Sequence, residues 1–401
     1  SATPPLHYPC VTGPRNTIKL LGVTFQADGG GRTSWEGALR HVQNKIRSWS
    51  VRPFTMAGKI LVLKAIVLPI LLYVGRVFPP DKATGKLITR MAFRFVSGST
   101  MEKLKRVTLL KEERNGGRGV QDIVTIIMVQ GLATLVQNVG KVGKASGTFA
   151  RYYATPFLRA MGLGVLDLTI PYSWDPLYVY RALKDFAYRT GLPRAGLTSW
   201  SYKMIMAHLR SGQIVTLPRG GPDLDPQVIW ANVTHKFLTN KQKDIAWMTA
   251  YRCLPTRTFM YRRHLALTER CPHGCTDSEY IHHLFWECSV ARRVWGLVCS
   301  SVSLSRFLPR SSLMAEGILY GPPGGCKTIK LQRQWRIINI VKQVLWEARN
   351  IKVYQKTTVD LITLRRRIQN LLQDGIIVDM HRNKNLAREK WGVDHWKEFI
   401  I

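Results

Sequence analysis

Acidic side chains are scarce in this chain. Across 401 residues, 25 Asp and Glu stand against 59 Lys and Arg, for a formal net charge of +34. An excess of that size repels itself unless a polyanion neutralises it, which points to nucleic acid as the partner. Several catalytic signatures are missing as well. No acidic residue has a lysine two positions on, so the carboxylate-x-Lys pattern of restriction-type nucleases is absent. No Gly-x-Ser-x-Gly elbow accompanies the Ser, His and Asp residues. The run Gly321-Pro-Pro-Gly-Gly-Cys-Lys327-Thr328 echoes a phosphate loop but lacks the adjacent Gly-Lys and a preceding strand, so it reads as a linker. These gaps leave no catalytic residue and no small-molecule substrate to expect.

Long unbroken apolar runs are also lacking. The longest, Ile60 to Phe78, contains Lys64, Pro69, Gly75 and Arg76. Each charge would cost about 2.5 to 3.5 kcal/mol at a bilayer centre, so the run reads as a buried helical segment. The basic residues are spread along the chain and not gathered beside an apolar span, which argues against a membrane partner. No basic region followed by an apolar core marks the N-terminus as a secretory leader. Seven cysteines, an odd number with three in one cluster, suit an intracellular reducing compartment: nucleus or cytoplasm, with an organelle also compatible. Cys10, Cys253, Cys299 and Cys326 read as ordinary thiols.

What is present is ample for sizeable cores, with 45% hydrophobic and 10% aromatic residues. Ile18 to Phe25 is β-branched and apolar, reading as a strand, and the breaker run Asp28-Gly-Gly-Gly31 follows. Helix then dominates. Ser34 is placed to cap a helix through Leu39, Val42, Ile46 and Trp49, and a second helix from Phe54 is expected to bend or stop at Pro69. Leu87, Met91 and Phe95 mark a third, and the loop Asn115 to Gly119 precedes the apolar segment Ile123 to Val139. Two amphipathic helices close the chain, one through Trp335, Ile338, Val341, Leu345 and Ala348 with Lys342, Arg349 and Lys352 on its other face, the second through Leu361, Leu364, Ile368 and Leu371 with Arg365, Arg366 and Arg367. Trp35, Trp49, Trp247 and Trp295 read as core, whereas Tyr152, Tyr153 and Trp335 are stacking platforms only if exposed. The expectation is a mainly α chain: a helical thumb-like bundle with a short N-terminal β element, a small zinc-binding module and C-terminal basic helices. Its boundaries fall at 1–30 for the β element, 31–140 for the bundle, 141–225 for an irregular helical connector, 226–320 for the zinc-binding domain and 321–401 for the basic helices, with Pro218 to Pro222 and Gly321 to Gly325 as breaks.

The most informative stretch is Cys271-Pro-His-Gly-Cys275, followed by His282, His283 and Cys288. Three thiols and an imidazole this close suit one tetrahedral Zn2+, and four protein ligands leave no open position for a reactive water, so the site is structural. His282 and His283 compete for the third place. His283 is preferred because Asp277 is placed to cap a helix whose face Ile281, Leu284 and Phe285 packs inward, although spacing alone leaves His282 open. Cys288 lies beyond one helical turn from His283, so the helix must loosen or end near Glu287.

Several segments together resemble a known family. Ile18-Lys-Leu-Leu-Gly-Val-Thr-Phe25, Trp49-Ser-Val-Arg-Pro-Phe-Thr-Met-Ala-Gly-Lys-Ile-Leu-Val-Leu-Lys64, Leu68-Pro-Ile-Leu-Leu-Tyr-Val74 and Gly116-Gly-Arg-Gly-Val120 resemble the primer-grip strand and thumb of non-LTR (LINE-type) retrotransposon reverse transcriptases. Leu254-Pro-Thr-Arg257, Cys271-Pro, Cys275, His283-Leu-Phe285, Cys288, Ala291 and Trp295 resemble the zinc-binding module after the thumb. The family is RNA-directed DNA polymerase, whose two-metal palm needs an adjacent pair of aspartates; this sequence has no Asp-Asp, so the chain alone is not expected to polymerise.

The resemblance implies RNA or an RNA–DNA hybrid as partner. Candidate contacts are Lys45, Arg47, Arg52, Lys59 and Lys64 on the thumb-like helices, Arg252, Arg257, Arg262 and Arg263 before the zinc loop, Arg292 and Arg293 after it, and Arg365, Arg366 and Arg367. Phosphate contacts of this kind are weakly sequence-specific and steeply salt-dependent. The alternative is a domesticated retrotransposon-derived structural component of a ribonucleoprotein such as a ribosome, holding ribosomal RNA.

Overall fold

The computed structural model describes residues 17–26, 31–99, 101–141, 143–160, 177–192, 200–211, 215, 217, 223–305 and 307–392. Cys10, most of the Asp28–Gly31 run and Pro218–Pro222 lie outside the described residues. The fold is mainly α, as expected, with a two-stranded sheet at its start. The chain divides into two compact units: Ser1–Phe54, Gly58–Glu102 and Val120–Gln213 form one, and Thr55–Ala57, Lys103–Gly119 and Ile214–Ile401 the other.

In the first unit, β1 (Thr17–Leu20) and β2 (Val23–Gln26) pair antiparallel, Ile18 opposite Phe25 and Leu20 opposite Val23. The single strand expected over Ile18 to Phe25 is therefore a hairpin. Leu21 and Gly22 both take positive φ, 48° and 81°, the signature of a two-residue turn that matches strand twist. Helix α1 (Arg32–Ser50) follows, and Ser34 does not cap it. Its hydroxyl instead accepts from the Thr24 amide at 2.7 Å and donates to the Thr24 carbonyl at 3.0 Å, pinning the hairpin to the helix.

Helices α2 (Met56–Val62) and α3 (Leu68–Gly75) run on from each other through a π turn at Leu63–Val67. The helix expected to bend or stop at Pro69 continues instead, because the proline sits in the first turn of α3, where its missing N–H is tolerated. Met56 to Gly75 is long and apolar enough to cross a membrane by length and composition. It buries one face, Ile60, Leu63, Val67, Leu71 and Val74, and leaves Leu61 and Tyr73 exposed, so the expected burial is one-sided.

Helix α4 (Lys82–Ser97) is capped by Asp81, whose carboxylate accepts from the Thr84 amide at 2.7 Å and is thereby held below the usual carboxylate range. In the second unit, α5 (Arg106–Leu110) leads to the loop at Asn115–Gly119. In the first, α6 (Ile123–Val139) forms the spine of a core that gathers Val129, Leu132, Leu135 and Val136 with Phe157 and Leu158 of α7 (Ala145–Ala160), Leu183 and Phe186 of α8 (Tyr178–Arg189), and Ile205 of α9 (Tyr202–Arg210).

The second unit contains α10 (Pro226–Val233), α11 (Asn240–Ala250), α12 (Arg257–Tyr261), α13 (Ser289–Ser300), α14 (Val302–Ser305), α15 (Ala315–Tyr320), α16 (Ile329–Asn350), α17 (Leu361–Arg382) and α18 (Lys384–Trp391). Gly116, at φ 86°, lies against Trp230 and Tyr251 so closely that a Cβ would fall 2.6 Å from both, and its carbonyl accepts from Trp247 Nε1 at 2.8 Å. Arg118 forms a buried ion pair with Asp244, whose carboxylate also accepts from the Met56 amide at 2.8 Å.

Helix α16 corrects the expectation of a basic outer face. It packs against α11, α13, α15, α17 and α18, so almost every side is covered. Lys342 and Arg349 are buried, and so is Trp335, which donates from Nε1 to the Asn232 carbonyl at 2.8 Å and offers no stacking platform. On α17 the buried stripe is Leu364, Ile368, Leu372 and Ile376, with Arg365, Arg366 and Arg367 exposed beside it. Trp35, Trp247 and Trp295 are core; Trp49 is half-buried against Phe54, with the Arg52 guanidinium 4.5 Å over its ring.

Candidate metal centre and basic groove

Cys271, Cys275, His283 and Cys288 bring one ligand atom each within 4.8 Å of one another. The Cys271 and Cys288 sulfurs are 3.8 Å apart, those of Cys275 and Cys288 3.9 Å. Tetrahedral thiolates with bonds of about 2.3 Å to a zinc ion would stand about 3.8 Å apart, so the spacing fits. The imidazole gives the second test. His283 is 1% exposed, and neither ring nitrogen has a hydrogen-bond partner among the described residues. A buried imidazole with both nitrogens unpaired is costly unless one of them binds a metal. The four residues fit one structural zinc ion, which when bound would cross-link the loop to the helix behind it and perform no reaction.

Local geometry builds this set from the loop upward. Gly274 at φ 85° closes the turn between the first two thiols, its amide donating to the Cys271 carbonyl at 3.2 Å. A short bridge between Arg270 and Ser278 then returns the chain. Asp277 does not cap the following helix: its carbonyl accepts from the Cys271 amide at 3.0 Å within that returning loop, and the Tyr280 carbonyl receives the Leu284 amide at 2.9 Å. The helix loosens into a π turn over His283–Glu287, where the Cys288 amide donates to the His283 carbonyl at 2.8 Å. That wide turn brings the two ligands onto one side.

Cys288 sits at the N-terminus of α13, and its thiol is drawn below the ordinary range by the hydrogen bond shared with Cys271 and by the Val290 and Ala291 amides. The same hydrogen bond, together with burial, raises the Cys271 thiol. His282 is the wrong candidate for the third ligand. It is part-exposed and its Nδ1 lies 3.0 Å from Glu287 Oε1. Glu287 also accepts from the Tyr280 hydroxyl at 2.5 Å, a bond that pushes the phenol up to about 12.

The loop is anchored by Glu279, which sequence reading did not single out, and by Arg349 and Lys342, which it placed on a solvated face. Glu279 is fully buried, its carboxylate taking Arg349 Nε at 2.9 Å and Nη2 at 2.8 Å, and the Arg257 amide at 2.6 Å. Behind the helix, Lys342 donates to the Leu319 carbonyl at 3.2 Å between the rings of Phe285 and Trp335, and burial pushes its ammonium down to about 7.

The basic candidates fall into separate places. In the first unit, Arg47 and Lys59 line one groove with Arg94, a residue that sequence reading missed, while Lys45, Arg52 and Lys64 are exposed elsewhere on α1 to α3 and the turn between α1 and α2. In the second, Arg252, Arg262 and Arg263 line a groove of about 720 Å³ with Tyr280 and His282. Arg257 is half-buried outside it, Arg292 and Arg293 are exposed on α13, and Arg367 is held 3.2 Å from Glu347.

Residues 219–295 match the family described as zinc-binding in reverse transcriptase. All four ligand residues fall inside that span, so the chain carries a reverse-transcriptase-related zinc-binding region. No curated protein matches the chain significantly.

Proposed function

We propose that this chain holds nucleic acid, RNA or an RNA–DNA hybrid, as the thumb and zinc-binding part of a LINE-type reverse transcriptase. The carrying observation is the Cys271, Cys275, His283 and Cys288 cluster inside a region matched to reverse-transcriptase zinc binding, on a chain of net charge +34. Such a charge draws a phosphate backbone from a distance, and exposed Arg and Lys side chains exchange its counterions for themselves. Arg47 and Lys59 in one groove, and Arg252, Arg262 and Arg263 in another, supply grouped contacts of this kind. The zinc ion's part is to hold the second groove's walls in place, since Tyr280 and His282 belong to the ligand-bearing segment.

The test is to crosslink the protein to RNA in its native cells, purify it under denaturing conditions and sequence what is attached. Enrichment of one element's own transcript supports the reading. Enrichment of ribosomal or another stable RNA would instead assign the chain to a ribonucleoprotein, and no enriched RNA would overturn both.

A further inference from the structure

The groove beside the zinc loop has features that general phosphate binding does not require. Arg252 closes α11 with φ 52°, a left-handed conformation that glycine takes readily and arginine does not. Its amide donates to the Thr249 carbonyl at 3.0 Å and the Cys253 amide to the Met248 carbonyl at 2.9 Å, so the turn itself needs no arginine side chain. Strain retained where glycine would relieve it marks a side chain kept for another purpose. Neither Arg252 nor Arg262 has a carboxylate partner among the described residues. In the same lining, Thr258 is 9% exposed and its hydroxyl has no hydrogen-bond partner among the described residues. Arg263 lies flat on Phe259, its guanidinium 3.6 Å over the ring, and donates to the Phe259 carbonyl at 3.3 Å.

The lining also carries an aromatic pair. Tyr280 is 42% exposed and nearly parallel to the His282 ring, 9° apart in plane, with its hydroxyl tied to Glu287. The tie fixes the ring's orientation and leaves the hydroxyl occupied, so the face is what a ligand meets. Glu316 is the acidic group in the lining, and it disfavours a phosphate at its end.

We propose that this groove seats one unpaired nucleotide of a bound strand, its phosphate between Arg252 and Arg262 and its base on the Tyr280 ring. The assignment rests on the nucleic-acid reading above. A paired base has both faces covered by its neighbours, so an aromatic platform selects a base that is out of the stack. The volume of about 720 Å³ suits a single nucleotide and not a duplex.

The test uses the full zinc-loaded chain and a labelled single strand carrying one 2-aminopurine, with a hairpin of the same sequence as competitor. Binding should change the 2-aminopurine emission, and the hairpin stem should compete poorly. Arg252→Gly should melt at the same or a higher temperature yet bind about tenfold more weakly, the loss of one charged hydrogen-bonding group. Tyr280→Leu should bind with the emission change abolished. Wild-type affinity and emission in both variants would overturn the groove assignment and leave the nucleic-acid reading standing. Equal competition by the stem would overturn the requirement for an unpaired base, and no binding of any strand by the unmodified chain would overturn both readings.

Discussion

Glu279 and Arg349, seventy residues apart, meet in a two-pronged ion pair with side chains only 1% and 2% exposed. The pair fastens the returning strand of the metal loop to the C-terminal end of α16, and the same carboxylate takes the first amide of α12. Removing one partner strands a buried charge, which typically costs about 3 to 5 kcal/mol. Arg349→Met is therefore expected to lower the melting temperature sharply, whereas Glu279→Gln with Arg349→Met should recover part of the loss, because no lone charge remains. Thermal melts of the unmodified chain and the two variants check this.

His283 and not His282 completes the metal site. His283→Asn should leave the chain with far less than one bound zinc, while His282→Asn should keep full stoichiometry and lose only its contact with Glu287. Metal analysis of the purified variants decides between them. Cys288→Ala should behave as His283→Asn and destabilise the second unit.

Lys342 gives the fold a pH dependence of its own. Its pKa is depressed to about 7 in the folded chain from the ordinary value of 10.5, so the unfolded state binds more protons between those values. Stability should consequently rise with pH through that window, by up to about 1.4 kcal/mol per pH unit from this group. Lys342→Met should remove that slope, and denaturant unfolding of both proteins at several pH values from 7 to 10 measures the difference.

Arg365, Arg366 and Arg367 stand exposed on α17 beside its buried stripe. Each one that contacts a duplex phosphate contributes about 0.9 to the slope of log affinity against log salt. Replacing all three by glutamine should flatten the slope by up to about three such steps, and less where Arg367 stays with Glu347. An unchanged slope would place them away from the nucleic acid.

The three thiol ligands were legible in the sequence because they lie within one short segment, where spacing constrains geometry, whereas spacing left His282 open beside His283 and the burial of His283 decides between them. The helices were legible for a related reason: the apolar period of α1 and α17 is local. Ser34, Lys342 and Arg349 were not. Each reads locally as a cap or a solvated face, and its partner, Thr24, Leu319 or Glu279, is set by packing that spacing does not report. The left-handed turn at Arg252 and the unpaired hydroxyl of Thr258 leave no sequence signal, although the basic character of Arg252, Arg262 and Arg263 does.

The most direct measurement is the affinity of an RNA–DNA hybrid for the zinc-loaded chain across a salt series, repeated after the metal has been removed by chelation. Binding that weakens steeply with salt, and falls further once the metal is gone and the arginines around the zinc loop lose their fixed spacing, is the predicted result. Binding absent at low salt, or unchanged by loss of zinc, would contradict the account.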